Sequence, residues 1–219
     1  MPISISRENY LKAIAEARSE GEMVTPSTLA RRLEVSVPAV SMALKRLRRD
    51  GLIEVEAAGA VCLTGQGGEI ADRLLRRHHL LERMLHELFD FEWHKIHDEA
   101  ERLEHAISDD FERKLRDRFG DGGYCPHGNR VGGDSPASRR ALGWVPLAEC
   151  PPGARVAVRS VFERDRALLE RLDQLRLRPG ASLSVRGRNW DDTLALSVGQ
   201  ADVVLGMRAA ELVWVEVLS

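Results

Sequence analysis

Histidine and glutamate side chains are concentrated in one stretch of the chain, at spacings that could bind a metal ion. All seven histidines lie between His78 and His127. His78 and Glu82 are four residues apart and therefore share one face of a helix. A second group also falls on a single helical face, and it consists of His97, Glu101, Glu104 and His105. Facing helices that present carboxylates and imidazoles to each other commonly build metal sites, so the spacing predicts a metal centre between helices.

The residue types of this predicted centre limit both the metal and the chemistry. Oxygen and nitrogen donors without a thiolate suit Mn²⁺, Fe²⁺, Co²⁺, Ni²⁺ or Zn²⁺, and the share of carboxylates favours the harder ions. A metallohydrolase would also need an open coordination position and a separate general base in a cleft. The sequence offers no further carboxylate or nucleophile motif near these ligands. We therefore predict that the protein is not an enzyme, and a metallohydrolase is the less favoured alternative.

A basic stretch precedes the histidines. From Arg31 to Arg49 there are six Lys or Arg residues and one acidic residue, whereas the whole chain has a net charge of −2. Such a local excess favours an anion-binding surface. A basic block followed by a His/Glu block indicates two functions in series, anion binding and metal binding.

The elements around the basic stretch follow the order of a winged helix-turn-helix. Ser6 is the predicted N-cap of a first helix, and Thr25-Pro26 and Ser36 are predicted to begin the second and third helices. Asp50-Gly51 is predicted to end the third helix. Two short β-prone runs then predict a hairpin, over residues 52–56 and 61–64.

The third helix is expected to bind double-stranded DNA. A helix of this length enters a major groove ~12 Å wide, with its N-terminal residues at the base edges and its basic residues at the phosphates. The predicted contacts near the helix start are Ser36, Pro38 and Ser41, and those along its basic side are Lys45, Arg46 and Arg49. The combination of helix-turn-helix and hairpin favours DNA binding over a merely solvated basic helix.

Helices are predicted up to residue 120, and short strands follow. A long helix is predicted from Gln66 to Phe89, another from near Asp90 past His105, and a third from an N-cap at Ser108 to Gly120. Residues 120–146 are rich in Gly, Pro, Ser and Arg and are predicted to be a loop and linker. Five β-prone runs and a short helix around residues 167–175 then predict a small β-barrel. The runs are 155–162, 182–188, 193–198, 203–205 and 212–217.

Composition excludes several classes of protein. Hydrophobic residues make up 43% and charged residues 30% of the 219 residues, so a buried core is expected and wholesale disorder is excluded. No apolar run approaches the ~18 residues needed to cross a bilayer, and the N-terminal residues lack the pattern of a secretion signal. Three widely spaced cysteines do not suggest a disulfide framework. We expect a cytoplasmic protein that does not bind membranes.

Five motifs follow the predicted wing in order, and they are RRHHLLERML, IHDEAERLEH, ISDDFERKL, CPHGN and LRPG. In this order the sequence resembles the DtxR/MntR family of metal-dependent transcriptional repressors, with HDEAERLEH as its specific signature. The resemblance implies a mainly α fold with a small β domain. It divides the chain into a winged helix-turn-helix (residues 1–65), a helical metal-binding and dimerisation domain (66–128), a linker (129–146) and an SH3-like domain of the FeoA type (147–219).

The resemblance also implies two metal sites. His78, Glu82 and His97 match the family's ancillary site. Glu101, Glu104 and His105 match its primary site, to which Asn9 of the first helix is aligned. Iron-type members have Met and manganese-type members have Asp at the position of Asn9. Asp165 aligns with an ancillary ligand that the third domain supplies in some members.

Several other residues are assigned by the same resemblance. Lys12 stands where manganese-type members with a binuclear site have Glu, which argues against that arrangement here. Leu168 occupies a second ligand position of the third domain and cannot bind a metal. His86 and His94 match no ligand position, and CPHGN corresponds to a structural loop.

Taken with the residues, the resemblance implies a homodimeric repressor that is activated by a divalent metal. Mn²⁺ is the first choice and Fe²⁺ the second, because Glu101 stands where iron-type members have Cys. We expect a palindromic operator, since the two basic helices of a dimer fit successive major grooves ~34 Å apart. A winged-helix repressor that senses a non-metal signal is the alternative.

Overall fold

Residues 4–63 form a winged helix-turn-helix in the computed structural model, which describes residues 4–218. Its helices are α1 (Ile5–Ser19), α2 (Pro26–Arg32) and α3 (Val37–Arg49), and strands β1 (Ile53–Val55) and β2 (Val61–Leu63) pair antiparallel as the wing. The Thr25 and Ser36 hydroxyls accept hydrogen bonds from the N–H groups of Thr28 and Ala39, so both predicted caps are confirmed. Residues 1–3 and 219, at the ends of the first and last predicted domains, lie outside the described residues.

The first helix begins earlier than predicted. Ser4 is its N-cap, and the Ser4 carbonyl accepts hydrogen bonds from the N–H groups of Arg7 and Glu8. Ser6 therefore lies inside the first turn, and the prediction that it caps the helix is wrong. Residues at both positions are serines, so the cap preference alone could not separate them.

The middle of the chain is a set of three helices. They are α4 (Gly65–Phe89), α5 (Ile96–Leu103) and α6 (Asp109–Phe119), and a 3₁₀ turn over Trp93–Lys95 precedes α5. Asp90 adopts a left-handed backbone with φ of 49°, which ends α4 and delays the next helix. The predicted helix from Asp90 past His105 is therefore shorter, and Glu104 and His105 lie just beyond its C-terminal end.

The last part of the chain contains a six-stranded antiparallel sheet. Five of its strands match the predicted runs, and they are β4 (Arg155–Val161), β5 (Ser182–Arg188), β6 (Thr193–Val198), β7 (Ala201–Gly206) and β8 (Val213–Val217). Helix α8 (Arg166–Gln174) follows β4, and α9 (Met207–Ala210) follows β7. The segment predicted as linker instead holds helix α7 (Pro136–Ala141) and strand β3 (Trp144–Pro146), which pairs with β8, so the strand order is β3-β8-β4-β5-β6-β7. A strand of three residues is too short to show an alternating pattern.

Two hydrophobic cores divide the molecule unequally. The winged helix has its own core, which includes Leu11, Ile14, Leu29 and Leu47 and reaches α4 at Ile70 and Ala71. The middle helices and the sheet share a second core. No helix within residues 4–218 has the length and apolar composition that a membrane span requires.

We expect Gly67→Ala to destabilise the junction between the wing and α4. A Cβ at Gly67 would lie 2.0 Å from the carbonyl oxygen of Leu52, so the backbone must shift at a cost of ~1–3 kcal/mol. Gly68 has open space around the same position and is the matched control. Gly68→Ala should stabilise α4 by ~0.5–1 kcal/mol, because alanine is the better helix former. Urea unfolding of the metal-free protein measures both effects, and equal effects would contradict the expected clash.

Candidate metal centre

A buried carboxylate on α4 lies at the middle of the histidine cluster. Glu82 Oε1 is 3.2 Å from His78 Nε2, 3.2 Å from His127 Nδ1 and 3.4 Å from His97 Nδ1. The other oxygen, Glu82 Oε2, is buried without a hydrogen-bond partner among residues 4–218. An unpaired carboxylate oxygen in a dry site costs free energy unless something positive binds it.

The helices place these side chains as the spacing predicts. His78 and Glu82 lie one turn apart on α4, and His97 lies in the first turn of α5, which packs against α4. His78 Nε2 is 2.9 Å from His97 Nδ1, so the two imidazoles are in direct contact. The predicted group of His78, Glu82 and His97 is therefore brought together.

A second carboxylate comes from the β domain. Glu163 follows β4, and its Oε1 is 3.4 Å from His79 Nε2 and 4.0 Å from His97 Nδ1. Two sets of possible ligands result, each with its ligand atoms within 4.8 Å of one another. One set is His78, Glu82, His97 and Glu163, and the other is His79, Glu82, Cys125 and Glu163.

The loop of the CPHGN motif closes this centre from the side. Cys125 N–H donates to the Asn129 carbonyl, and His127 Nε2 is 3.1 Å from the Trp93 carbonyl oxygen. Gly128 has φ of +80°, and a Cβ there would lie 1.9 Å from the Arg159 carbonyl oxygen. The loop thus has the structural role that was predicted, but it also places the buried Cys125 and His127 beside Glu82 and Glu163.

The charges in the centre are strongly coupled. Burial and the nearby Lys12 ammonium lower the pKa of His78, but the Glu82 and Glu104 carboxylates outweigh them and raise the pKa to about 10. Burial alone would raise the pKa of Glu82, yet His127 and His78 hold it well below its ordinary value. Burial also disfavours the charged form of His127, but Glu82 raises its pKa.

These residues fit a divalent cation. Two carboxylates and several imidazoles converge from three parts of the chain, and Glu82 Oε2 has no hydrogen-bond partner between residues 4 and 218. Burial, followed by the charges of Glu82 and Glu163, raises the pKa of the Cys125 thiol well above its ordinary value. The set without the cysteine therefore suits a hard ion such as Mn²⁺, whereas the set with Cys125 suits a softer one.

The Glu104 carboxylate, a predicted metal ligand, is paired with the ammonium of Lys12 in the structure. Lys12 Nζ, buried on α1, donates to both Glu104 oxygens at 2.9 and 2.8 Å and lies 3.6 Å from Glu101 Oε1. Glu104 Oε2 is also 2.7 Å from His78 Nδ1. Burial opposes the charge of Lys12, but Glu104 raises its pKa, so the ammonium stays protonated and neutralises that carboxylate.

The two aligned ligands Asn9 and Asp165 each have a neighbouring carboxylate that makes the closer contact. Asn9 is exposed and lines the same cavity as Glu101, Glu104 and His105, while its neighbour Glu8 places Oε2 2.7 Å from His105 Nδ1. Asp165 accepts a hydrogen bond from the Leu168 N–H and caps α8. The third-domain carboxylate at the centre is that of Glu163, two residues earlier.

Glu101 and His105 line an open cavity of about 1300 Å³ together with Asn9. Glu101 has 51% of its side chain exposed, and its Oε1 is 3.8 Å from His97 Nε2. His105 Nε2 is 3.6 Å from Glu104 Oε1. The three residues of this predicted group are neighbours, but their carboxylates do not converge on one point. His94 lies outside both groups, 3.2 Å from Asp173.

The predicted DNA contacts share the exposed face of α3. Val40, Leu44 and Leu47 bury the opposite face in the core of the winged helix. The exposed residues include Ser36, Pro38, Ser41, Lys45, Arg46 and Arg49. Lys45 and Arg46 form no ion pair within residues 4–218, so their charges are available to phosphates.

Family models match almost the whole chain. Residues 3–61 match the iron-dependent repressor N-terminal DNA-binding domain, and residues 64–131 match the metal-binding and dimerisation domain of the same repressors. Residues 145–217 match the FeoA domain.

Two repressors and one solved repressor structure are similar to this chain. The chain is 33% identical to the iron-dependent repressor IdeR of Mycobacterium leprae over 95% of this chain and 96% of that protein. It is 39% identical to the diphtheria toxin repressor of Corynebacterium glutamicum over 58% of this chain and 55% of that protein. A solved manganese-dependent transcriptional repressor in complex with manganese has a TM-score of 0.84 and 30% identity, covering 97% of this chain and 100% of that one.

We expect the binding of one divalent cation to release about one proton near neutral pH. His78 must lose its proton to become a ligand, and its pKa of about 10 keeps this imidazole protonated in the metal-free protein. Metal affinity should therefore increase as the pH rises. Calorimetric titration with Mn²⁺ in buffers of different ionisation enthalpy measures the release. His86→Gln should leave it unchanged, and binding without proton release would contradict this charge state.

Proposed function

Because the chain belongs to the DtxR/MntR family of metal-dependent transcriptional repressors, we propose that Mn²⁺ activates it at the centre around Glu82, with Fe²⁺ as the alternative. The chain is a DNA-binding regulator and not an enzyme. The unpaired, buried oxygen of Glu82 is the observation that supports the site. The carboxylate-rich donor set of His78, Glu82, His97 and Glu163 supports the hard ion.

A second cation site is proposed at Glu101, Glu104 and His105. Their neighbouring positions beside the open cavity support it, and Asn9 or Glu8 on α1 completes the donor set. Glu104 must exchange its Lys12 partner for the ion, so this site should be weaker than the centre at Glu82. The aligned ligand Asp165 is not proposed for either site, since Glu163 takes its place.

The proposed switch follows from where the ligands are attached. Glu82 belongs to α4, His97 to α5 and Glu163 to the β domain, so one shared cation fixes three elements relative to one another. A bound divalent cation supplies the positive charge that holds Glu82 and Glu163 together. The winged helix has a separate core, packs on α4 through α1 and meets the cluster through Lys12 and Glu8, so these polar contacts contribute to its orientation.

The proposed DNA partner is a palindromic operator bound by a homodimer. The exposed face of α3 supplies the contacts, with Ser36, Pro38 and Ser41 near the bases and Lys45, Arg46 and Arg49 at the phosphates. We propose the cytoplasm as the site of action, because the operator is there. The domain boundaries at 65, 128 and 146 remain part of this proposal.

The test is metal-dependent DNA binding. A duplex selected from random-sequence DNA by the wild-type protein with Mn²⁺ serves as the probe. We expect binding about 100-fold tighter with saturating Mn²⁺ than with a chelator, within the usual range of allosteric coupling. Glu82→Gln keeps the shape of the side chain but removes its charge, and it should abolish this dependence. Fluorescence anisotropy measures each affinity.

Arg46→Ala is the matched control for this experiment. It should weaken binding at every Mn²⁺ concentration without moving the Mn²⁺ midpoint, and it should reduce the salt slope by about one. Equal DNA affinity with Mn²⁺, Fe²⁺ and chelator would contradict activation by metal and favour a non-metal signal. Wild-type Mn²⁺ dependence in Glu82→Gln would contradict the placement of the site.

Residue 101, a ligand of the second proposed site, should contribute to the choice between Mn²⁺ and Fe²⁺ alongside the donor set around Glu82. A thiolate is softer than a carboxylate, so Glu101→Cys should shift activation toward Fe²⁺, Co²⁺ or Zn²⁺ and weaken the Mn²⁺ response about tenfold. Anaerobic titration of DNA binding with each ion measures the order of metals, and Glu99→Cys on the same helix is the control. An unchanged order would show that softness at residue 101 does not set selectivity. Activation of the wild type by Fe²⁺ but not Mn²⁺ would contradict the proposed metal.

A further inference from the structure

We infer that Arg164 is a positioning residue that connects the metal centre to the DNA-binding domain through α1. This inference rests on the proposed function, because it concerns how occupancy of the centre at Glu82 and Glu163 reaches the winged helix. Glu163 and Arg164 are consecutive residues between β4 and α8. The first faces the candidate metal ligands and the second faces the DNA-binding domain.

The guanidinium of Arg164 lies between two carboxylates of α1. Its Nη1 is 3.1 Å from Glu16 Oε2, and its Nη2 donates to Glu20 Oε1. The Arg164 side chain is 21% exposed, and its Cζ lies 4.8 Å from the centre of the Phe162 ring. A guanidinium held by two carboxylates and an aromatic ring has a defined position, unlike a surface ion pair with free rotamers.

The contact of Arg164 with α1 is the direct polar link between the winged helix and the β domain. Within the described part of the chain, each hydrogen bond or ion pair that joins residues 4–63 to residues 129–218 involves Arg164. The hydrophobic cores of the two parts are also separate. Arg164 is therefore the direct polar contact through which the β domain meets the winged helix, in addition to the packing of α1 on α4.

The segment that bears Glu163 and Arg164 is fixed at both ends. The Phe162 N–H donates to the Leu212 carbonyl, and Asp165 caps α8 through the Leu168 N–H. Glu163 itself accepts a hydrogen bond from the Asn129 amide. A short anchored segment transmits a displacement of one residue to its neighbour, so the positions of Glu163 and Arg164 are linked.

The contact continues toward the DNA-reading helix. Glu20 accepts from Arg164 with one oxygen and from Arg32 of α2 with the other. Arg32 also lies 3.2 Å from Glu22 in the α1–α2 turn. Ion pairs thus run without a break from the residue beside Glu163 to α2, the helix that precedes α3. Coupling along such a series requires direct measurement.

The first experiment compares DNA affinity at saturating Mn²⁺ with the selected duplex. Arg164→Ala should weaken it about five- to tenfold, a modest allosteric coupling, while calorimetric Mn²⁺ affinity stays within about twofold of the wild type. Arg164→Lys should restore most of the loss because it keeps the charge. Arg166→Ala is the matched control, since Arg166 is exposed and pairs with Asp98 outside the DNA-binding domain.

A double-mutant cycle tests the partner. Glu16 pairs with Arg164 only, within residues 4–218, so Glu16→Gln should cost little more when combined with Arg164→Ala. Additive losses would contradict a direct contact that acts in DNA binding. Unchanged DNA affinity in Arg164→Ala, or an equal loss in Arg166→Ala, would overturn the role of Arg164.

Hydrogen exchange with Mn²⁺ alone separates this inference from the proposed function. In the wild type, Mn²⁺ should slow exchange in residues 78–82 and also in residues 16–22. In Arg164→Ala the first protection should remain and the second should be lost. If Mn²⁺ protects neither region, the proposed function fails. The role of Arg164 is then tested in the metal-free protein, where Arg164→Ala must speed exchange in residues 16–22. Equal exchange in the two metal-free proteins would overturn it.

Discussion

The burial of the Glu82 carboxylate is the constraint on which the rest of the structure depends. A charge removed from water requires compensation, and here His78 and His127 supply it on one oxygen, while the other oxygen has no hydrogen-bond partner in the part of the chain that the structure describes. The groups that surround Glu82 come from α4, from the CPHGN loop and, through Glu163, from the β domain. The middle helices and the β domain also share one hydrophobic core, whereas the winged helix has a core of its own.

Helix α1 connects that separate part to everything else through residues spaced by four. Glu8 contacts His105, Lys12 contacts Glu104, and Glu16 and Glu20 contact Arg164. Steps of four residues turn only 40° around a helix, so all four side chains lie along one broad stripe. The hydrophobic face of α1 packs in the core of the DNA-binding domain. The polar stripe forms the contacts of this domain with residues near the candidate metal sites.

Local signals in the sequence predicted most of the fold. Capping hydroxyls at Thr25, Ser36 and Ser108 and the period of the apolar residues located the helices, since these features act within one turn. Residues that join the centre by tertiary packing were harder to assign. Glu8 precedes the aligned Asn9 by one residue on a helix, and Glu163 precedes the aligned Asp165 by two residues in a loop. An offset this small changes which side chain faces the site, and the sequence pattern does not show it. His127 was visible in its motif, but spacing alone could not show that it contacts Glu82.

The raised pKa of His78 has an electrical consequence. The metal-free centre holds a positive charge on that imidazole, so a divalent ion that displaces its proton adds a net charge of only +1 to the molecule. A buried change of one unit alters little of the potential that the basic residues of α3 present to distant phosphates. Capture of DNA by long-range attraction then hardly distinguishes the two forms, and discrimination begins when both recognition helices must enter the grooves together.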